Sequence, residues 1–181
     1  CPPYIDKYRG SSVAASREAG AFAVAHGFCS HPIVPRLSVP AQILDAVASR
    51  LSGLPRPLYV LAIGTSEARK QWGHDKFAEL ANRLAETGAG VVLLGGPSET
   101  ALAEQIATSV VGERQAQVLA MTKLTILESA AVLRSADVCI GNDTGMVNIA
   151  AAVERPTFVL LGARPALDHD PLMSSLTAAS L

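Results

Sequence analysis

A chain of 181 residues, 49% of them hydrophobic, is long enough to bury a sizeable core, which argues against an intrinsically disordered protein. Charged residues make up only 17% and the net charge is −1, so the composition gives no electrostatic reason to expect nucleic acid as a partner. Three cysteines without close spacing argue against a disulfide framework or a zinc site. No apolar run reaches the roughly 18 residues of a membrane span, and a reducing cytoplasm fits best.

Residues 1–56 carry scattered prolines and predict two helices rather than a domain of their own. The alanine-rich stretch 13–26 predicts the first helix. The stretch 41–51 follows a proline and repeats apolar residues at helical spacing, which predicts the second. We interpret residues 1–56 as a linker with packing helices from an interdomain region, and residues 57–181 as a domain. Because the chain begins with Cys-Pro-Pro rather than Met, either residues were removed or it belongs to a longer polypeptide.

From residue 58 onward, short apolar runs alternate with segments of helical periodicity. The apolar runs predict strands at 58–63, 91–94, 118–120, 137–140 and 157–161. The segments between them predict helices at 76–86, 98–110, 125–134 and 145–153. Ser98 is the expected N-cap of the second of these helices, and Thr125 with Glu128 predicts a capping box for the third. The segment after Asp170 has no pattern that places it.

The apolar character of the strands predicts how they pair. Strands that are apolar throughout are typical of parallel sheets buried on both faces and joined by right-handed crossovers. The alternation of such strands with helices therefore predicts an α/β fold, with a Rossmann-like parallel sheet and helices on both faces.

Glycine-rich and polar residues follow three of the predicted strands, in the turns 64–70, 95–99 and 141–145. Ligands of open parallel sheets bind beyond the carboxyl ends of the strands. Three such turns at one edge predict a pocket. Neither a G-x-G-x-x-G turn nor a P-loop sequence is present, so this pocket has no standard dinucleotide or nucleoside triphosphate signature.

The turn 141–145 is the most informative of the three. Gly145 stands just before a helix of small residues, and the N–H groups and partial positive charge of a helix start suit a diphosphate. Because the carboxylate of Asp143 would repel a phosphate, we assign Asp143 and Thr144 a shaping role through bonds to backbone amides, with the Thr144 hydroxyl as a further contact. Simple helix capping by Asp143 or Thr144 is the alternative.

The other two turns offer hydroxyl, ammonium and carboxylate groups. Thr65 and Ser66 supply hydroxyls, and Lys70 supplies a positive charge that suits phosphate oxygens. The alternative for Lys70 is a solvated surface lysine. Glu99 is a candidate acceptor for two ribose hydroxyls, but this turn alone favours a carboxylate that suits the dipole of a helix start.

Other reactive residue types predict no site. The single tryptophan, Trp72, is interpreted as a packing residue, and Cys139 as a buried apolar one. The histidines at 26, 31, 74 and 169 lack metal-binding spacing, so no metal site is expected.

Several short segments, taken in order, resemble glycosyltransferase family 9, the ADP-heptose:lipopolysaccharide heptosyltransferases. Each segment is weakly specific, but the ordered set, within about residues 41–165, is quite specific. The matching segments are Thr-Ser-Glu-Ala-Arg-Lys-Gln-Trp at 65–72, Phe-Ala-Glu-Leu-Ala at 77–81, Val-Val-Leu-Leu-Gly-Gly-Pro-Ser-Glu at 91–99, Lys-Leu-Thr at 123–125 and Asn-Asp-Thr-Gly at 142–145 with the alanines 150–152.

The resemblance implies one half of a GT-B fold, with residues 57–181 as the nucleotide-sugar-binding domain. ADP-heptose is then the donor substrate, and neither a metal nor a cofactor is implied. The implied donor contacts are Thr65, Ser66 and Lys70 at the diphosphate, Glu99 at the ribose, Leu124 beside the adenine, and Asp143, Thr144, Gly145 and Met146 in the phosphate loop, with Asn148 one turn further on.

Two positions depart from the family pattern. Asn148 stands where the family usually has a histidine, so it offers a hydrogen bond but no charge. Gly73 stands where the family favours a proline. In this family the catalytic carboxylate and the acceptor site lie in an N-terminal domain, which residues 1–56 do not resemble. We therefore expect no catalytic residue in this chain, and nucleotide binding without sugar transfer.

The expected function is donor binding in an inverting, metal-independent heptosyltransferase that acts on a lipid A–core acceptor. The expected location is the cytoplasm, with peripheral association at the inner membrane. Two alternatives remain open at this point. One is a GT-B transferase that uses another nucleotide sugar, such as a UDP-linked one. The other is a non-catalytic nucleotide-binding domain, which Asn148 and the missing half favour.

Overall fold

In the computed structural model, the described residues 15–31, 33–161 and 170–177 form a six-stranded sheet with flanking helices. The strands are β1 (Leu58–Ala62), β2 (Gly90–Leu94), β3 (Val118–Met121), β4 (Val138–Asn142), β5 (Thr157–Leu160) and β6 (Met173–Leu176). The α-helices are α1 (Ala15–Ala25), α2 (Ala41–Leu51), α3 (His74–Glu86), α4 (Thr100–Ser109), α5 (Ile126–Ser135) and α6 (Gly145–Ala152). Short 3-10 helices cover Ala68–Lys70, Pro97–Glu99 and Gly112–Gln117.

The strand order is β3-β2-β1-β4-β5-β6, and every neighbouring pair is parallel. This is the order of a doubly wound sheet, in which the chain moves outward from β1 in one direction and then in the other. The order reverses between β1 and β4, and the loops that leave these two strands diverge there. The predicted parallel α/β fold is confirmed.

The core has one apolar layer on each face of the sheet, which confirms the prediction of helices on both faces. On one face, α2, α5 and α6 bury Val47, Ala130 and Val147 against the strands. On the other face, α3 and α4 bury Phe77 and Ile106. Helix α2 packs against α5, so this helix contributes to the same core as the sheet. None of the helices in the described ranges combines the length and apolar character that a bilayer crossing requires.

The prediction of Ser98 as a helix N-cap is wrong. Pro97–Glu99 forms a 3-10 turn, and α4 begins only at Thr100 with Glu99 at its N-cap position. The Glu99 carboxylate accepts a hydrogen bond from Gly96 N at 2.7 Å and another from Ser98 Oγ at 2.7 Å. Ser98 lies inside the 3-10 turn, two positions before α4, and its hydroxyl donates to this carboxylate and accepts no bond from a helix N–H.

Strand β6 is an element that the sequence left unplaced. It pairs with β5, and Asp170 just before it is only 3% exposed. The Asp170 carboxylate accepts hydrogen bonds from Arg36 Nη1 at 2.6 Å and from Leu172 N at 2.9 Å. Arg36 lies 134 positions earlier in the chain, so no local pattern predicts this contact.

Candidate functional site

A cleft of about 380 Å³ opens at the carboxyl edge of the sheet. Strand β1 lies between β2 and β4, and the turns that follow these three strands are therefore neighbours, as predicted. The volume lies within the range of about 300–1,000 Å³ that is typical of small-molecule sites. The lining residues are Gly64, Thr65, Ser66, Gly95, Gly96, Ser98, Glu99, Leu124, Ile126, Ser129, Thr144, Gly145 and Met146.

Most of the residues predicted to contact a ligand line this cleft. They are Thr65, Ser66, Glu99, Leu124, Thr144, Gly145 and Met146. Lys70, Asp143 and Asn148 stand close by, on the same turns or helix, but outside the lining. Their contact with a ligand stays a prediction.

Helix α6 begins at the cleft, and Thr144 caps it. Thr144 Oγ1 accepts a hydrogen bond from Met146 N at 3.2 Å, so the capping alternative holds for Thr144. Asn148 is exposed, and its Nδ2 donates to Thr144 O at 3.0 Å. Among the described residues, no atom lies within 4 Å of a Cβ added to Gly145, so these residues leave open space beside the helix start. An anion can therefore approach the first turn of α6 closely.

Lys70 is held between two carboxylates and is not a solvated surface lysine. Its side chain is 18% exposed, and its Nζ lies 3.0 Å from Asp143 Oδ2 and 3.2 Å from Glu67 Oε1. The hydrogen bond that Lys70 donates to Asp143 is the main reason that the pKa of Lys70 lies above its usual value. The ammonium group therefore stays charged. Asp143 shapes its turn by binding this group, which joins the turn after β4 to the 3-10 helix after β1.

Glu99 spans the first and second turns. Besides its bonds to Gly96 N and Ser98 Oγ, its carboxylate lies over Gly64, where an added Cβ would stand 3.1 Å from Oε2. A Cβ on Gly95 would stand only 2.8 Å from the Glu99 Cβ, so this close packing requires a glycine at position 95. Glu99 thus stabilises the start of the helix, which was the alternative interpretation of its carboxylate. Its carboxylate oxygens retain lone pairs for a ligand, and the ribose contact stays a prediction.

Asn142 is a positioning residue that the sequence analysis missed. It is fully buried at the end of β4, where its Nδ2 donates to Ile63 O and to Gln71 Oε1, both at 2.9 Å. Its Oδ1 accepts from Trp72 N at 3.0 Å. These bonds fix the turn after β4 to the segment after β1, and so set the distance between two walls of the cleft. An amide that ends an otherwise apolar strand was the available signal.

The start of α5 forms the remaining wall, and the predicted capping box there is confirmed. Thr125 N donates to Glu128 Oε2 at 2.7 Å, and Glu128 N donates to Thr125 Oγ1 at 3.2 Å. Two lining residues of this wall were missed by the sequence analysis. Ile126 is 67% exposed, whereas Ser129 is 5% exposed.

The residues predicted to serve packing do so. Trp72 meets Phe77 edge to face, with ring centroids 5.1 Å apart. Burial raises the pKa of the Cys139 thiol to about 12, so this thiol is chemically inert. His26, His31 and His74 are exposed, and His169 lies outside the described residues. Across the described ranges, no group of three or more histidine, cysteine or acidic side chains is arranged to hold a metal ion.

The doubly wound sheet and the glycine-lined cleft at its carboxyl edge define a ligand-binding domain of the Rossmann-like α/β class. The sequence model of glycosyltransferase family 9 (heptosyltransferase) matches residues 5–181, and the chain belongs to this family. The resemblance inferred from the ordered segments is thereby confirmed.

Individual relatives agree with this assignment. Lipopolysaccharide heptosyltransferase 2 of Salmonella typhimurium is 29% identical over 164 residues, which are 89% of this chain and 46% of the relative. Lipopolysaccharide heptosyltransferase 1 of Pseudomonas aeruginosa is 36% identical over 107 residues, which are 59% of this chain and 29% of the relative. The solved structure of E. coli ADP-heptose LPS heptosyltransferase II matches with a TM-score of 0.70 at 25% identity, over 84% of this chain and 47% of that one. The chain thus spans about half the length of these relatives, or less.

Proposed function

We propose that this chain is the donor-binding half of an inverting, metal-independent heptosyltransferase, and that its cleft holds ADP-heptose through the diphosphate. The observation that carries this proposal is the convergence of three glycine-rich turns on the first turn of α6. Similarity to an ADP-heptose-dependent relative of matching fold supports the choice of donor.

The diphosphate would lie against the start of α6. Gly145 leaves room there, and the helix start stabilises a negative charge by up to about 2 kcal/mol in partly buried geometry. Thr65 and Ser66 line the same cleft from the turn after β1, and the Thr65 hydroxyl would exchange its bond to Glu67 O for one to a phosphate oxygen. Lys70 adds a charge, but Asp143 and Glu67 already share it, so a bound phosphate would compete with these carboxylates for the ammonium group.

The nucleoside would occupy the other end of the cleft. Leu124 and Ile126 offer apolar contact for a base, and Glu99 offers carboxylate oxygens to the ribose hydroxyls. Asn148, which replaces the usual histidine, provides an uncharged amide near the diphosphate.

The acceptor and the catalytic base belong, in this proposal, to the half of the relatives that the chain does not cover. Displacement at the anomeric carbon with inversion requires a base beside the acceptor hydroxyl. A lipid A–core acceptor would be met at the cytoplasmic face of the inner membrane, through peripheral association. The 181-residue chain would then bind nucleotide without transferring sugar.

Calorimetric titration of the chain with ADP, UDP and ADP-heptose tests this proposal. We expect ADP and ADP-heptose to bind and to raise the unfolding temperature, with UDP binding more weakly. Tighter binding of UDP would favour a transferase that uses another nucleotide sugar, and binding of neither nucleotide would contradict donor binding. Turnover of ADP-heptose on a lipopolysaccharide acceptor by this chain alone would contradict the absence of the catalytic base.

A further inference from the structure

Ser129 is a buried hydroxyl-bearing residue in the wall of the cleft. It lies in the first turns of α5, its side chain lines the cleft, and the residue is 5% exposed. Its backbone N–H donates to Thr125 O at 2.9 Å. Its Oγ has no hydrogen-bond partner among the residues that the structure describes.

A second serine of the same helix shows what such a hydroxyl ordinarily does. Ser135 Oγ donates to Ala131 O at 2.9 Å, the carbonyl four positions earlier. The carbonyl of Thr125 stands at the same spacing before Ser129, but the Ser129 hydroxyl does not use it. The Ser129 hydroxyl is not among the fully buried atoms of the described residues that lack a partner, so it opens to the cleft, where water or a ligand atom can supply the bond.

The surroundings of Ser129 indicate which part of a ligand this hydroxyl meets. Leu124 and Ile126, at the start of the helix that carries Ser129, line the same cleft with apolar side chains. An apolar wall disfavours phosphate or a polyhydroxylated sugar, whose polar groups would lose water without replacement. A flat nucleobase has apolar faces and a polar edge, and therefore matches a wall with apolar side chains and one hydroxyl.

We propose that the Ser129 hydroxyl hydrogen-bonds the polar edge of the nucleobase, which makes Ser129 a determinant of nucleotide specificity. This inference rests on the proposed binding of a nucleotide-sugar donor in the cleft. A hydroxyl both donates and accepts, so it can pair with a ring nitrogen or with an amino group. A nucleobase with neither a ring nitrogen nor an amino group opposite Ser129 would bind less tightly.

The test compares Ser129→Ala with Ser135→Ala in the full chain, using calorimetric titration with ADP and UDP. We expect Ser129→Ala to weaken ADP binding about five- to tenfold, the effect of one neutral hydrogen bond, and to narrow the ratio of ADP to UDP affinity. Ser129→Thr keeps the hydroxyl, so the ratio of ADP to UDP affinity should stay that of the wild-type chain. Ser135→Ala should leave both affinities unchanged.

Thermal unfolding without ligand provides a second measurement. Removal of an unpartnered hydroxyl from a helix should raise the unfolding temperature of Ser129→Ala, whereas Ser135→Ala loses a hydrogen bond. If the wild-type chain binds ADP and Ser129→Ala binds it with the same affinity and the same ratio, the role of Ser129 is refuted and donor binding stands. If the wild-type chain binds neither nucleotide, the proposed function fails and this inference fails with it.

Discussion

The two edges of the sheet use similar residues for different purposes. At the amino edge, Asp137 Oδ2 accepts hydrogen bonds from Leu58 N at 2.6 Å and from Arg56 Nη1 at 3.1 Å, and the same guanidinium nitrogen donates to Ser135 O at 2.7 Å. At the carboxyl edge, Lys70 and Asp143 also pair, but glycine turns and a helix start leave a cleft beside them.

This difference shows that charged side chains near the end of a strand do not by themselves indicate a ligand-binding site. At the amino edge, charged side chains bond to backbone groups of neighbouring elements. At the carboxyl edge, buried Asn142 joins the turns from below, and the hydroxyls of Thr65 and Thr144 bond only within their own turns, beside an open cleft. We therefore expect substitutions at the amino edge to change stability alone, and those at the carboxyl edge to separate into stability and binding effects.

Asn142→Leu should have the largest effect. The substitution leaves Gln71 Oε1 and Trp72 N without their buried amide partner, and each such loss costs about 1–3 kcal/mol. We expect the free energy of unfolding in urea to fall by about 3 kcal/mol or more. Asn82→Leu is the control, because the Asn82 amide donates to the carbonyls of Ala78 in α3 and Ser109 at the end of α4, outside the buried core. Equal losses in the two variants would contradict the positioning role of Asn142.

Two glycine substitutions separate stability from binding at the carboxyl edge. A Cβ on Gly141 would stand 2.5 Å from the Cβ of Ala62, its partner on β1, so Gly141→Ala should lower the free energy of unfolding by about 2–3 kcal/mol. Gly145→Ala should not lower stability, because none of the described residues has an atom within 4 Å of the added Cβ, and it should weaken ADP binding by occupying the cleft. Chemical denaturation and calorimetric titration of both variants check this pair. A stable Gly141→Ala would refute the close approach of the two strands.

Lys70→Met should weaken ADP binding by about 1–3 kcal/mol, the range for a hydrogen bond to a charged group. Arg69→Met removes a neighbouring charge whose side chain is exposed and paired with Glu67, so its effect on affinity should be small. Calorimetric titration measures both. If the Lys70 variant binds ADP with unchanged affinity, the role of Lys70 is limited to its ion pairs with Asp143 and Glu67.

Asp137→Asn should have the smallest effect, about 1 kcal/mol of unfolding free energy, with ADP affinity unchanged. The N–H of Leu58, followed by Arg56, lowers the pKa of Asp137 in the folded chain below the usual value of about 3.9. The unfolded chain therefore binds the proton more readily, so the stabilisation is complete above about pH 5 and declines as pH falls below 3.9. Urea denaturation between pH 3 and pH 7 should show the difference between wild type and variant shrinking at low pH. A difference that grew as pH fell would contradict this assignment.

Local sequence patterns determined much of this fold. The strands and helices follow from apolar runs and helical periodicity, because burial of one face imposes a repeat on neighbouring residues. The capping box of Thr125 and Glu128 lies within four residues and was predicted correctly. The location of the cleft at the carboxyl edge followed from the glycine-rich turns and the parallel sheet. The boundary at residue 56 remains a prediction.

Only the tertiary structure decided which distant residues meet. Lys70 pairs with Asp143, Asn142 joins two strands, and Arg36 reaches Asp170 across almost the whole chain. The pairing of β6 with β5 is another such contact, and so is the burial of Ser129 in the cleft wall. Periodicity reports which face of an element is buried, but not what that face meets. Strand order sets those contacts, and the free energy of the whole packed core determines that order.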